Sequence, residues 1–126
     1  MWKVHLAVLL ASCAASLWAA DSQISTRGRE LYEKRCTGCH SLDGVKVGPP
    51  LRAVFGRRAA ADPSFPYSEA LKKSGLSWNE TNLDRWLTDP EALVPDSDMA
   101  FRSNQAEERA AIIAYLKELP GKQVRR

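Results

Sequence analysis

The segment Cys36-Thr37-Gly38-Cys39-His40 restricts the fold of this 126-residue chain more than any other part of it. Two cysteines are separated by two residues and a histidine follows the second, which is the spacing of a covalent c-type haem attachment site. On a helix, residues i, i+3 and i+4 share one face, so both thiols can form thioethers with one porphyrin edge. We expect the imidazole of His40 to ligate the iron from the same face. A chain with this segment is expected to fold around its haem.

Three other functions of such a segment are disfavoured by the rest of the chain. A structural zinc site needs four ligands, and residues 21–126 contain no third cysteine and no second histidine. A thioredoxin-like dithiol is expected within a βαβ unit, which this sequence does not predict. Nucleophilic catalysis by Cys36 or Cys39 requires a histidine that is free to act as a base. His40 is the only candidate, and we therefore predict that the protein is not an enzyme.

Size and charge limit the class of protein further. A chain of 126 residues with 44% hydrophobic content suits one small domain with a thin core, to which a covalently held haem would add apolar mass. The net charge of +3 is mild and there is no long basic run, so we expect no nucleic-acid partner. Cys13 lies in an N-terminal apolar run, which leaves no disulfide framework to propose.

Residues 1–20 have the parts of a secretory signal peptide: Lys3, a mostly apolar run over residues 4–15, and a small-residue end at Ala19-Ala20. We expect cleavage there, which leaves a domain over residues 21–126 in the bacterial periplasm. Two alternatives stay open. The segment could remain as an uncleaved anchor, or Cys13 could carry a lipid, because the three residues before it complete a lipobox-like pattern. Only these alternatives place the protein at a membrane.

The remaining pattern predicts an all-α chain with short helices and long loops. Apolar spacing and capping residues indicate the helices, and no alternating strand of useful length is present. The long loop over residues 41–66 would count against a compact domain unless the chain wraps around a central group. Four helices are predicted. The first runs from Ser25 or Thr26 to about Gly38, and the second covers residues 67–74. The third runs from Glu80 to Asp89, after the cap Asn79 and before Pro90, and the fourth starts at a capping box formed by Asn104 and Glu107 and ends at Pro120.

Met99 is the candidate for the second axial ligand. The other methionine is the initiator, and the other histidine, His5, lies in the predicted signal peptide. Met99 follows a proline-bearing loop and is flanked by Asp96 and Asp98, a poor setting for a core methionine. Ligation by His40 and Met99 fills both axial positions and raises the reduction potential. The pattern therefore favours outer-sphere electron transfer over catalysis.

These residues give the chain a family resemblance. From about Thr26 to Leu119 it resembles the class I c-type cytochromes, in the branch of mitochondrial cytochrome c and its bacterial relatives. Gly28 resembles the glycine of the family's first helix, which meets an aromatic of the last helix, here Tyr115. The resemblance implies the small all-α cytochrome c fold around one haem c. It also implies that the carbonyl of Pro49 accepts the free N–H of His40 and so orients the imidazole.

The resemblance assigns further residues to the haem. It implies that Arg57, Tyr67 and Trp78 are hydrogen-bonding partners of a buried haem propionate, and that Phe101 covers the haem edge. Without the resemblance, the first would be interpreted as a solvated loop charge and the next two as core aromatics. Trp86 stands where relatives have a tyrosine near the methionine sulfur, which changes the hydrogen bonding close to the ligand.

The charges around the haem edge depart from the family pattern. Mitochondrial relatives carry lysines there, whereas this chain has Glu91, Ala92 and Asp98, with Asp96 in place of a glycine. Because such charges steer encounter, the usual basic docking face is weakened or inverted. We expect a monomeric carrier of single electrons between redox proteins such as a membrane cytochrome complex, an oxidase or a dehydrogenase. The alternatives are a haem subunit bound to a periplasmic dehydrogenase, and a ligand-binding or peroxidatic haem protein with a labile Met99.

Overall fold

The structure, a computed structural model, describes the backbone of residues 3–120 and the side chains of residues 17–120. The predicted all-α class is confirmed, since this part of the chain contains no strand and only an isolated bridge between Arg58 and Ser77. The helices are α1 (Lys3–Arg35), α2 (Glu69–Lys73), α3 (Glu80–Thr88), α4 (Pro90–Leu93) and α5 (Ala106–Lys117). Among the described residues, no helix is both long and apolar enough to cross a membrane.

Helix α1 begins far upstream of the predicted cap. Ser25 and Thr26 lie inside the helix: the Ser25 hydroxyl donates to the Glu118 carboxylate, and the Thr26 hydroxyl donates to the carbonyl of Ser22. The alanine-rich residues before them favour helix and contain no proline, so the helix continues. It ends at Arg35 rather than near Gly38. The side chains of residues 1–16, which carry the apolar run and Cys13 of the predicted signal peptide, lie outside the described residues.

Each of the three short helices begins at a side-chain cap, and the cap Asn79 is the one that the sequence predicts. Ser68 caps α2, which is shorter than the predicted 67–74, by accepting from the amide of Leu71. The Asn79 side chain accepts from the Asn82 amide and begins α3, as predicted. Pro90 ends α3 but also begins α4 as its first residue, because proline is pre-organised for that position. The side chain of Asp89 caps this next turn.

Helix α5 begins later than the capping-box pattern indicates. The cap residue is Gln105, which makes no side-chain capping hydrogen bond, so the prediction of a capping box at Asn104 is wrong. Across the fold, α5 packs against both α1 and α3. The fully buried hydrophobic residues form one cluster, contributed mainly by these three helices: Leu31, Tyr32, Val54, Leu71, Trp78, Leu83, Trp86, Leu87, Val94, Ala111, Ile112, Ile113 and Leu116.

The crossing of α1 and α5 holds the end of α1 in place. Gly28 lies so close to α5 that a Cβ atom there would be 1.9 Å from the carbonyl oxygen of Ala111. The rings of Tyr32 and Tyr115 pack beside this crossing with centroids 5.4 Å apart. The glycine and the aromatic predicted to meet are therefore brought together. The Cys36–His40 segment follows directly at the end of α1.

Candidate haem-binding site

An apolar cavity of about 220 Å³ lies between α1, α3, α5 and the long loop. All nine residues predicted for the site line it, from six separate stretches of the chain. They are Cys36, Cys39, His40, Pro49, Arg57, Tyr67, Trp78, Met99 and Phe101. The rest of the lining is dominated by aliphatic and aromatic side chains, including Leu51, Val54, Leu71, Leu83, Leu87, Ile112 and Leu116. Such a lining suits a flat hydrophobic ring system.

The cysteine and histidine side chains are presented by a turn that continues α1 beyond its last helical residue. The amide of Cys36 donates to the Tyr32 carbonyl at 2.8 Å, and the amide of His40 donates to the Cys36 carbonyl at 2.9 Å. These i to i+4 hydrogen bonds keep helical spacing, so Cys36, Cys39 and His40 all reach the cavity. Burial raises the pKa of the Cys36 thiol to about 11, which keeps this thiol neutral at pH 7.

His40 is held by the loop that follows it. Its Nδ1 atom lies 2.8 Å from the carbonyl oxygen of Pro49. A carbonyl can only accept, so Nδ1 carries the hydrogen and Nε2 keeps a free lone pair. Burial lowers the pKa of the imidazole, which favours this neutral form. Gly48 packs against the ring, and a Cβ atom there would lie 2.4 Å from Cε1 of His40.

Met99 enters the cavity from the irregular segment between α4 and α5. Its Sδ atom accepts a hydrogen bond from Nε1 of Trp86 on α3 at 3.0 Å. The segment is fixed on both sides of Met99, because the amide of Ser97 donates to Val94 and the amide of Ser103 donates to the carbonyl of Leu87. A neutral imidazole and an oriented thioether therefore line the same cavity.

Arg57 supplies a polar group within the apolar lining. One terminal nitrogen donates to the carbonyl of Pro50 at 3.2 Å, but the buried Nε atom has no hydrogen-bond partner among the described residues. An unpaired buried guanidinium N–H is costly, and an anionic group in the cavity would satisfy it. This observation fits the carboxylate of a haem propionate. Tyr67 and Trp78 line the same cavity, so the three predicted propionate partners are brought together.

Phe101 is positioned by Arg35, a residue without a predicted role in the site. The guanidinium of Arg35 lies 5.1 Å from the centre of the Phe101 ring and pairs with the carboxylate of Glu108 on α5. Arg35 directly precedes Cys36, and this position next to the haem segment is the one sequence signal that could have identified it. Phe101 is half-buried at the edge of the cavity.

Trp86, which the resemblance places near the methionine sulfur, and Tyr32 also line the cavity. Trp86 donates to the Met99 sulfur, although its spacing within α3 also suits an ordinary core residue. Tyr32 is buried, and its hydroxyl has no hydrogen-bond partner among the described residues. Its helical position four residues before Cys36 places it on the face of α1 that carries the haem segment.

Comparisons with known proteins identify the family. The family model for cytochrome c matches residues 25–120. Cytochrome c2 of Rhodomicrobium vannielii is 36% identical over 110 residues, which cover 82% of this chain and 87% of the relative. Cytochrome c2 iso-2 of Magnetospirillum fulvum is 41% identical over 87 residues, covering 67% and 91% of the two chains. In both comparisons the aligned residues cover most of this chain and most of the relative.

A solved structure supports the same assignment. Cytochrome cH from Methylobacterium extorquens is 37% identical in sequence, with a TM-score of 0.70, and the match covers 74% of this chain and 96% of that one. The family, the fold and the cysteine pair agree with the cofactor that the sequence predicts. The chain therefore belongs to the cytochrome c family, as a class I c-type cytochrome that carries one haem c attached covalently through Cys36 and Cys39.

Proposed function

We propose that this cytochrome is an exported carrier of single electrons in which His40 and Met99 ligate the haem iron. The observation that supports this best is that both cysteines, the neutral imidazole and the oriented thioether line one apolar cavity. The bound haem supplies reversible one-electron chemistry as its iron changes between the ferrous and ferric states. The protein supplies ligation, orientation and exclusion of water.

His40 and Pro49 act together in this proposal. The Pro49 carbonyl accepts the Nδ1 hydrogen, fixes the tautomer and limits rotation of the imidazole. Nε2 is then the ligating atom. Gly48 allows this arrangement because it leaves room for the ring.

Met99 determines whether the protein transfers electrons or binds small ligands. With His40 and the Met99 thioether both bound to iron, a haem held here would offer oxygen or peroxide no open site. The Trp86 hydrogen bond and the fixed segment around Met99 support stable ligation. We therefore favour electron transfer without enzymatic activity over a ligand-binding or peroxidatic haem protein.

The partner is proposed to be another redox protein that approaches the edge of the cavity. Asp98 lines the cavity and is exposed, while Glu91 accepts from the amide of Asp96 in the same exposed segment. These carboxylates would favour a cationic patch on the partner. A membrane cytochrome complex, an oxidase or a dehydrogenase with such a patch fits this role.

The N-terminal burial pattern supports export with removal of a signal peptide. Residues 17–24 are all exposed, and the first buried side chain in the described part is that of Ser25. The family match begins at the same residue. Cleavage after Ala19 or Ala20 would therefore remove no described buried side chain, and we propose a periplasmic location.

The experiment that tests the ligand set is Met99→Leu in protein exported with the haem-attachment machinery present. Leucine keeps the volume but lacks the sulfur, so the fold should survive. We expect the parent and the variant to gain the mass of one haem, while only the variant loses the sulfur-to-iron charge-transfer band and binds carbon monoxide when ferrous. An unchanged spectrum in the variant would refute ligation by Met99.

Native purification tests whether the protein is a free carrier. Elution as a monomer near the mature mass supports a shuttle, and stable co-elution with a larger dehydrogenase supports the subunit alternative. The intact mass of the same sample also reports whether residues 1–20 have been removed.

A further inference from the structure

The short loop over residues 44–47 follows the Cys36–His40 turn and lies on the surface. All four of its residues are exposed, and its two valines, Val45 and Val47, are 45% and 76% exposed. Apolar side chains that stay in water gain no hydrophobic stabilisation. Polar contacts must therefore hold this loop in place.

Hydrogen bonds to the backbone fix the two ends of the loop. At its start, the hydroxyl of Ser41 accepts from the amide of Gly44 at 2.8 Å and donates to the carbonyl of Gly44 at 2.7 Å. After its last residue, the amide of Gly48 donates to the carbonyl of Cys39 at 2.7 Å. These contacts leave the middle of the loop to be held by another group.

Lys46 joins the middle of the loop to the Cys36–His40 turn. Its ammonium donates to the carbonyl of Thr37, nine residues earlier, which lies between the two haem-binding cysteines. Helix α1 ends just before this turn, and carbonyls at the end of a helix lack intrahelical donors, which a lysine side chain can supply. The contact therefore links the loop directly to the segment that carries the cysteines.

The same ammonium brings a positive charge close to His40. Burial lowers the pKa of the imidazole, and the charge of Lys46 lowers it further, so the two groups are near enough to interact. A cation that disfavours positive charge on this ring also disfavours the additional positive charge of ferric iron bound to it. The charge therefore favours the ferrous state.

We propose that Lys46 is a positioning residue that holds the loop against the Cys36–His40 turn and raises the reduction potential of the bound haem. This inference rests on the proposed ligation by His40. The loop leads directly into Gly48, which packs against the imidazole, and into Pro49, whose carbonyl accepts from Nδ1. A loop held only at its ends would give the imidazole more freedom to rotate.

The test compares the parent holoprotein with Lys46→Ala and Lys46→Arg. Alanine removes the charge and the donor from an exposed position, so the fold should survive. We expect Lys46→Ala to lower the reduction potential, speed hydrogen exchange of the Gly48 amide several-fold, and move the paramagnetically shifted ring-proton resonances of ferric His40. Arginine keeps a charged donor, and we expect it to restore all three readouts most of the way to the parent values.

Arg27→Ala is the control for the loss of one positive charge. Arg27 is exposed on α1, with 61% of its side-chain surface accessible, and it lies nine residues before Cys36, or about 13 Å along the helix. We expect it to change the potential less than Lys46→Ala and to leave Gly48 exchange and the His40 resonances unchanged.

Two results would overturn the proposal, and they can be told apart. If Lys46→Ala changes the potential no more than Arg27→Ala and leaves Gly48 exchange at the parent rate, the role of Lys46 is refuted while His40 ligation stands. If the ring protons of His40 show no paramagnetic shift in the ferric parent, the ligation and the role of Lys46 are both refuted.

Discussion

Gly28 on α1 faces the carbonyl group of Ala111 on α5, and the two helices are close enough to exclude any side chain at this position. A Cβ atom would lie 1.9 Å from the carbonyl oxygen and 2.6 Å from its carbon. Both obstacles are backbone atoms, which cannot move aside without displacing a helix. The cavity is lined from both helices, by residues such as Tyr32 and Leu116, so a shift at this crossing also affects the haem site.

We therefore predict that Gly28→Ala destabilises the holoprotein by about 3 kcal/mol or more, because the helices must separate. Denaturant unfolding followed by helical circular dichroism measures the loss. Gly44→Ala is the matched control, since the contact of a Cβ atom there is an ordinary one with the Ser41 hydroxyl at 3.4 Å. Equal unfolding midpoints for the two variants would contradict the close crossing.

Ala60 adopts a left-handed backbone conformation, with φ of 57°. This region costs a residue with a Cβ atom roughly 1–2 kcal/mol, and glycine enters it freely. Ala60→Gly removes this strain but also gives the unfolded chain more conformational freedom, which offsets part of the gain. We therefore expect the free energy of unfolding to rise by about 0.5 kcal/mol.

Ala61→Gly provides the comparison for this prediction. Ala61 is exposed and is not among the described residues with positive φ. Glycine there adds freedom to the unfolded chain without relieving strain, so we expect a loss of about 0.5 kcal/mol. The two variants should shift the denaturation midpoint in opposite directions, and a shift in the same direction would argue against strain at Ala60.

Tyr32 gives the holoprotein a pH dependence at high pH. Burial raises the pKa of Tyr32 from 10.0 to about 12. Between these values the folded state keeps a proton that the unfolded state releases, so stability falls as the pH rises from 10 towards 12. Tyr32→Phe should reduce this loss, and urea unfolding at pH 9 and pH 11 measures the difference.

Tyr115→Phe is the control for the tyrosine titration. Tyr115 packs against Tyr32, so this variant keeps the aromatic pair while the Tyr32 hydroxyl stays in place. We expect it to retain most of the stability loss between pH 9 and pH 11. If Tyr32→Phe loses as much stability as the parent between pH 9 and pH 11, the raised pKa of Tyr32 is not the cause of the loss.

The acidic segment near Met99, which contains Glu91, Asp96 and Asp98, should attract small cationic redox reagents although the net charge of the protein is positive. We expect the ferrous protein to reduce a cationic cobalt complex at a rate that falls as ionic strength rises, because local carboxylates attract the complex. Replacing Glu91 and Asp98 by Gln and Asn should slow this reaction roughly twofold per charge at low salt.

Glu33→Gln tests whether location or total charge causes the effect. Glu33 is exposed on α1 and does not line the cavity, so its replacement should change the rate little. Ferricyanide, an anion, should respond to Glu91 and Asp98 in the opposite direction. A cobalt rate that rises with ionic strength in the parent would show that the net charge, not the acidic segment, governs encounter.

Local patterns were sufficient for the attachment site and for several helix ends. The spacing of Cys36, Cys39 and His40 predicts a haem because the chemistry needs those residues at that spacing, and Asn79 caps α3 as its side chain allows. The family resemblance supplied the roles of Pro49 and Arg57. The structure brings both to the cavity, and the His40–Pro49 contact has the predicted partners.

Features that depend on distant or competing contacts were not predictable in the same way. The start of α1 was misplaced because Ser25 has the properties of a cap, yet its hydroxyl donates to Glu118 at the other end of the domain. Asn104 has a good capping sequence, but the helix begins one residue later, after Gln105. The contact of Arg35 with Phe101 joins two segments that are far apart in the sequence, and no periodic pattern of residues predicts it.

The pairing of the first and last helices has a consequence for assembly during the proposed export. Ser25 and Glu118 are 93 residues apart, and the Gly28–Ala111 crossing lies between them. A chain that emerges N-terminus first therefore presents Cys36 and Cys39 well before α5 is available to pack beside them. The order of synthesis thus leaves an interval in which haem-attachment enzymes can reach both thiols on an open chain.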